Sequence, residues 1–261
     1  MTIYTKMIVA AVTACASVSF GAQVLKFDSA NYINPTAEPW LGTWSDTSGL
    51  ANNAKSPNSW NRATVIGATP TGQPSLKGDN NFNLLLATPV KLTDFTVVTV
   101  LKTASYGGDQ TIFGGANGAM ALRVDGADTG NGRLTFTKVG QWDPVTSTGP
   151  LTTGVWHVLS MTYGLDAITM RIDGVAQVLG SKAYLAGVDG FGPILSIGNS
   201  TGNYAFQGEL AAVYMYDTVL DQTSLTTVEN GLTATYVGVP EPTMLSFLGL
   251  TAMGLIRRRS R

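Results

Sequence analysis

Residues 156–175 read WHVLSMTYGLDAITMRIDGV, and this stretch decides the architecture. Ile168, Met170 and Ile172 alternate with Thr169 and Arg171, the period of a strand with one buried face. Asp173-Gly174 follows at once, a pair that accepts the left-handed backbone of a tight hairpin turn. Just upstream, residues 156–163 form a second apolar strand, connected to the first through Gly164-Leu165-Asp166. Working outward, residues 95–101 and 209–216 are apolar on both faces, as expected of strands sandwiched in a two-sheet core. Shorter strands are predicted at 24–27, 82–86, 111–113, 120–124, 134–139 and 194–197, separated by Gly, Asn, Asp and Pro. Many short strands so punctuated indicate an all-β, two-sheet antiparallel sandwich or jelly roll.

One short helix is expected near the end of this domain. Asp221 is placed to cap it, and Leu225, Val228, Leu232 and Tyr236 recur three or four apart as a single stripe. Residues 34–77 are rich in Pro, Gly, Asn, Ser and Thr and are expected to wrap the sandwich as an irregular loop. With Trp40, Trp44 and Trp60 they are too apolar for a free linker. Of 261 residues only 13% are charged, against about a quarter in most soluble domains, which excludes a coiled coil or a charged disordered chain. The single cysteine, Cys15, closes no intramolecular disulfide and builds no multi-cysteine zinc site, and the single histidine, His157, offers no metal-binding pair.

The two ends read as addresses. Lys6 precedes the apolar run 7–14, and Ala16, Ser17 and Ser19 follow, the order of a secretory signal peptide. Residues 1–22 are expected to be removed, with the cut after Ala22 or, because Phe20 is bulky, after Gly21. Val12-Thr13-Ala14-Cys15 also resembles a lipobox, which would instead leave Cys15 lipidated at the new N-terminus. At the other end, Val239-Pro240-Glu241-Pro242 precedes the apolar segment 243–256 and the cluster Arg257-Arg258-Arg259-Ser260-Arg261. A tail anchor is one reading, but the apolar segment falls short of the ~20 residues that span a bilayer. Over residues 239–261 this order closely resembles the PEP-CTERM sorting signal of Gram-negative bacteria. The resemblance implies an exosortase-type membrane protease as partner, transient membrane insertion through the tail, and its removal. The implied address is the envelope, cell surface or extracellular matrix.

Taking Lys6 and the four terminal arginines from the 16 basic residues, and Glu241 from the 17 acidic ones, leaves 11 and 16, a net charge of −5 for the body. An acidic surface argues against nucleic acid as a partner, since phosphates require a basic footprint.

Within residues 23–237 a series of motifs occurs in order: Trp44-Ser45-Asp46-Thr47-Ser48-Gly49, Ser75-Leu76-Lys77-Gly78-Asp79, Gly154-Val155-Trp156-His157, Arg171-Ile172-Asp173-Gly174-Val175 and Phe206-Gln207-Gly208-Glu209-Leu210-Ala211. Together they resemble the laminin G-like, concanavalin A-like jelly-roll domains of bacterial surface proteins. That fold carries lectins, glucanases and structural modules, so function must come from side chains.

Glycoside hydrolysis needs two carboxylates facing across a sugar. The four glutamates are poorly placed for it: Glu209 has no acidic neighbour two residues away, Glu229 is on the predicted helix, Glu241 is in the tail, and Glu38 stands alone. His157 has no nucleophile motif beside it and reads as a packed strand residue. Sugar binding instead needs an aromatic platform beside polar side chains. Trp142 with Asp143, and Tyr106 with Asp109, lie in predicted loops and are the candidate ligand-binding residues, while Trp44 and Trp156 are expected to pack. No cofactor is required. Calcium is the one candidate, in the loop of Asp125, Asp128 and Asn131, whose residues are equally good turn formers. The expectation is an exported, non-catalytic surface or matrix protein that binds or organises extracellular polysaccharide. The alternatives are a structural or adhesive protein that binds other proteins, and a polysaccharide-cleaving glycoside hydrolase.

Overall fold

The computed structural model describes residues 21–34, 42–58, 63–78, 82–106, 108–116, 119–125, 132–138, 145–164, 167–179, 192–199 and 204–238. The expected signal segments, apart from residues 21 and 22, lie outside these. Among the described residues there are sixteen strands: β1 (Gln23–Ile33), β2 (Thr43–Asp46), β3 (Ala54–Lys55), β4 (Thr64–Ala68), β5 (Pro74–Gly78), β6 (Leu84–Val90), β7 (Phe95–Thr103), β8 (Gln110–Gly114), β9 (Met120–Asp125), β10 (Arg133–Lys138), β11 (Val145–Pro150), β12 (Trp156–Gly164), β13 (Ala167–Ile172), β14 (Val175–Ala176), β15 (Ile194–Ile197) and β16 (Gly208–Tyr216). One helix, α1 (Gln222–Leu232), continues into a π-helical turn, Thr233–Val237. Among the described residues, no helix is long and apolar enough to cross a membrane.

The named strand pairs are antiparallel, and hydrogen bonds join fourteen strands in one path, β11-β10-β9-β8-β15-β6-β3-β2-β1-β16-β7-β12-β13-β14, with β5 branching from β16 and pairing with β4. The path folds over on itself into two layers. Phe136 on β10, near one end, packs against Phe95 on β7 and Tyr163 on β12, near the other, with ring centroids 6.1 and 6.0 Å apart. Phe27, Leu76, Phe82, Leu101, Ile112, Phe113 and Phe206 are fully buried in the same core. This is the expected all-β sandwich.

The hairpin of residues 156–175 is as predicted: β12 pairs with β13, and Asp173 and Gly174 take φ values of +51° and +76°. The double-faced burial of β7, β12 and β16 has a different cause from the one expected. One face meets the opposite layer, but the other lies under α1, where Leu225, Leu232 and Tyr236 cover Val98, Val100, Val158, Ala211 and Ala212. Each such large apolar side chain contributes about 1.5–3 kcal/mol. Asp221 caps α1 as predicted, its carboxylate accepting from the Ser224 backbone N–H at 2.8 Å.

Residues 34–77 differ from the irregular loop that composition suggested, since they contain β2, β3, β4 and most of β5. These strands are two to five residues long, too short to show a period, and they form because neighbouring strands receive them. Trp44, fully buried, packs tilted against Phe27 with ring centroids 5.2 Å apart and donates to the Asp28 carbonyl at 2.7 Å. Asp46 fixes the following turn by accepting from the backbone N–H groups of Lys26, Ser48 and Asn52 and from the Ser48 hydroxyl, all within 2.9 Å. The Trp44 to Gly49 motif is therefore a folding device.

Candidate functional site

At one end of the sandwich, the β7–β8 connection, the ends of β9 and β11, the start of β10 and the approach to β16 meet as a rim. Buried Gln110 ties these pieces together: its amide donates to the Ser105 carbonyl at 2.7 Å and accepts from the Gln207 N–H at 3.0 Å. Ala104 N–H donates to the Gln207 carbonyl at 2.9 Å, and the Ser105 hydroxyl to the Gln207 side chain at 3.0 Å. Loops so knitted hold side chains in place, as a recognition surface requires.

Two of the predicted ligand-binding residues stand here in different roles. Tyr106 is half-buried, with its hydroxyl donating to the Leu151 carbonyl. Its ring lies on Gly132, where φ is +64° and a Cβ would run into the ring, so glycine is doubly required at that position. Tyr106 thus helps to close the end of the core. Asp109 joins a cluster that sequence reasoning did not find. Its carboxylate pairs with the Arg123 guanidinium at 3.2 Å, and that guanidinium lies over the Tyr204 ring, 4.7 Å from its centroid. Thr111 N–H anchors the Tyr204 carbonyl at 2.7 Å, beside β8. Tyr204 remains 38% exposed, an aromatic ring held on a planar cation with a carboxylate beside it. Arg123 projects among the threonines of the outer face, opposite Thr111 and Thr135.

A signal for this cluster was present. In Met120-Ala121-Leu122-Arg123-Val124 the arginine takes the outward position of an otherwise apolar strand, and Tyr204 stands in the polar run Ser200-Thr201-Gly202-Asn203. Trp142, Asp143, Asp128 and Asn131 lie outside the described residues. Asp125 ends β9, its backbone opposite Arg133. Among the described residues no group of three metal-ligating side chains occurs.

Residues 76–226 match a family model described as the concanavalin A-like lectin/glucanases superfamily. The chain belongs to this superfamily. No curated protein resembles it significantly in sequence. Among solved structures of similar fold is domain 4 of AbnA, an extracellular arabinanase of Geobacillus stearothermophilus in complex with arabinotriose. It has a TM-score of 0.56 and 16% identity, over 81% of this chain and 100% of that one. Trypanosoma rangeli sialidase in complex with sialic acid has a TM-score of 0.60 and 15% identity, over 86% of this chain but 35% of the sialidase. The binding domain of Paraclostridial Mosquitocidal Protein 1 has a TM-score of 0.55 and 14% identity, over 80% of this chain and 52% of that one. At such identities the likeness is one of fold.

A superfamily that joins lectins and glucanases poses the question of paired carboxylates. Glu209 is held by the Lys102 ammonium at 2.6 Å and by the Ser75 hydroxyl at 2.6 Å. Glu229, 3% exposed, is held by the Arg171 guanidinium at 3.0 Å and the Ser160 hydroxyl at 2.6 Å, fastening α1 to the sheet. His157, 7% exposed, accepts from the Thr152 N–H at Nε2, so its proton resides on Nδ1 and is donated to Asp173 at 2.7 Å. Each of these three groups is engaged in holding elements together. Glu38 and Glu241 lie outside the described residues.

Proposed function

We propose that this chain is an exported, non-catalytic carbohydrate-binding domain of the concanavalin A-like superfamily, acting on polysaccharide outside the cell. The observation that carries the reading is the exposed Tyr204 ring, backed by Arg123 and flanked by Asp109. A sugar ring presents an apolar face and a rim of hydroxyls. Tyr204 supplies the complementary surface for the first, and the carboxylate of Asp109 and the guanidinium of Arg123 supply an acceptor and donors for the second. Pre-positioning by the guanidinium lowers the ordering cost of binding. The engagement of Glu209 and Glu229 in ion pairs supports binding over cleavage. The reading requires no metal, and calcium in the loop of Asp125, Asp128 and Asn131 would be an accessory to it. Export rests on the N-terminal segment, and delivery through an exosortase-type protease rests on Pro240, Glu241, Pro242 and the arginines Arg257, Arg258 and Arg259.

Titration of the purified protein against a panel of matrix polysaccharides tests the reading. At least one is expected to bind, with Tyr204→Ala weakening it at least tenfold, about 1.4 kcal/mol, while the fold persists. Binding of a neutral polysaccharide that survives Tyr204→Ala unchanged, or shortened products in the mixture, would contradict it.

A further inference from the structure

A second concavity lies on the opposite, helix-covered face, between the β1–β16 pair and the last turns of α1. It has a volume of about 500 Å³, and Gln23, Lys26, Tyr214 and Tyr216 on the strands and Val228 and Leu232 on the helix line it. Such a volume takes one or two sugar rings.

Lys26 and Tyr214 are directly opposed across the strand pair, and the ammonium lies over the phenol ring, 5.5 Å from its centroid. Among the described residues no carboxylate pairs with Lys26, although Asp28 shares its face of β1. Asp28 Oδ1 instead accepts the hydroxyls of both Tyr214 and Tyr236, at 2.6 and 2.7 Å, which latches the π turn to the sheet. Tyr216 receives a hydrogen bond from the Gln23 amide at 3.0 Å, so its own hydroxyl proton remains free to donate. Burial keeps that phenol neutral, pushing its pKa up to about 12. The strand wall therefore presents a cation and a phenolic donor, while Val228 and Leu232 make the helix wall apolar.

We infer that this groove is a second sugar subsite, selective for a carboxylate-bearing saccharide, a uronic acid unit whose carboxylate pairs with Lys26 and accepts from Tyr216. The inference takes its ligand class from the polysaccharide-binding reading but rests on different residues. A half-buried charge-assisted contact is worth about a factor of ten or more in affinity.

The test is calorimetric titration with trigalacturonate, its methyl ester and neutral galactotriose. Trigalacturonate is expected to bind at least tenfold tighter than the ester or the neutral sugar. Lys26→Gln should abolish that preference, Lys26→Arg should keep it, and Tyr216→Phe should weaken it severalfold, with Tyr204→Ala leaving it intact. Equal affinity for acid and ester in the unaltered protein overturns the inference whether or not any variant folds. A preference that survives Lys26→Gln, or equal binding of a sulfated galactan, overturns it too. Neutral polysaccharide binding through Tyr204 with no preference for the acid would sink this subsite alone, whereas no binding to any saccharide would sink both.

Discussion

Asp46 accepts four hydrogen bonds through two oxygens, and no other residue type could do so in that turn. Asparagine would place an N–H₂ against donors, and alanine would leave three backbone N–H groups in search of water. Asp46→Ala is therefore expected to destabilise the protein by about 3 kcal/mol in denaturant unfolding, with Asp46→Asn close behind; a loss below 0.5 kcal/mol would refute this role. The motif around Asp46 was legible as a pattern, but its purpose was not, because its four donors come from β1 and from the turn that follows β2. Tyr204 shows the same limit from the other side. A lone tyrosine after a polar run stands out in the sequence, but its partner does not until folding brings Arg123 beneath it. His157 was easier to read, since a single imidazole in an apolar strand, with no nucleophile nearby, had few roles open to it.

At the scale of elements, the C-terminal helix is the piece whose attachment can be followed by pH. Burial raises the pKa of Tyr214, Tyr216 and Tyr236, and hydrogen bonding to Asp28 raises the first and last further. A phenol with a raised pKa in the folded state stabilises that state fully below its ordinary value of 10, and the contribution is lost as pH climbs through the folded value. The melting temperature is accordingly expected to fall from about pH 10 through pH 12. Tyr214 and Tyr236 should escape spectrophotometric titration until the protein unfolds. A flat melting profile across that range would contradict the latch. At acid pH the Asp221 cap works in the opposite sense. The Ser224 backbone N–H holds its carboxyl below the usual range, so its support of α1 is present above that range and is lost as pH falls through it. Strands with a regular period and the capped helix were visible in the sequence because local pattern determines them. β2 to β5 and β11 were not, because strands such as TWSD and VTSTGP owe their conformation to partners distant along the chain.

For the molecule as a whole, pairing of Gln23 with Tyr216 shows how non-local the fold is: the first strand is completed by the last. Such topology folds slowly, which suits a chain expected to reach its final compartment before it closes. Intact mass of the protein recovered from producing cells is expected to correspond to a chain that begins at residue 22 or 23 and has lost the arginines of its tail. A full-length mass from the cytosol would refute export. The sandwich itself was legible from alternation and turn residues, whereas of the proposed binding cluster only Asp109 was, since Asp109, Arg123 and Tyr204 come from three separate stretches that only the folded rim unites. The most direct trial of the central claim is a crystal structure of the protein with the best-binding neutral oligosaccharide. An intact sugar stacked on Tyr204 and within hydrogen-bond reach of Asp109 is the predicted result. A sugar seated away from that ring, or one found cleaved, would contradict it.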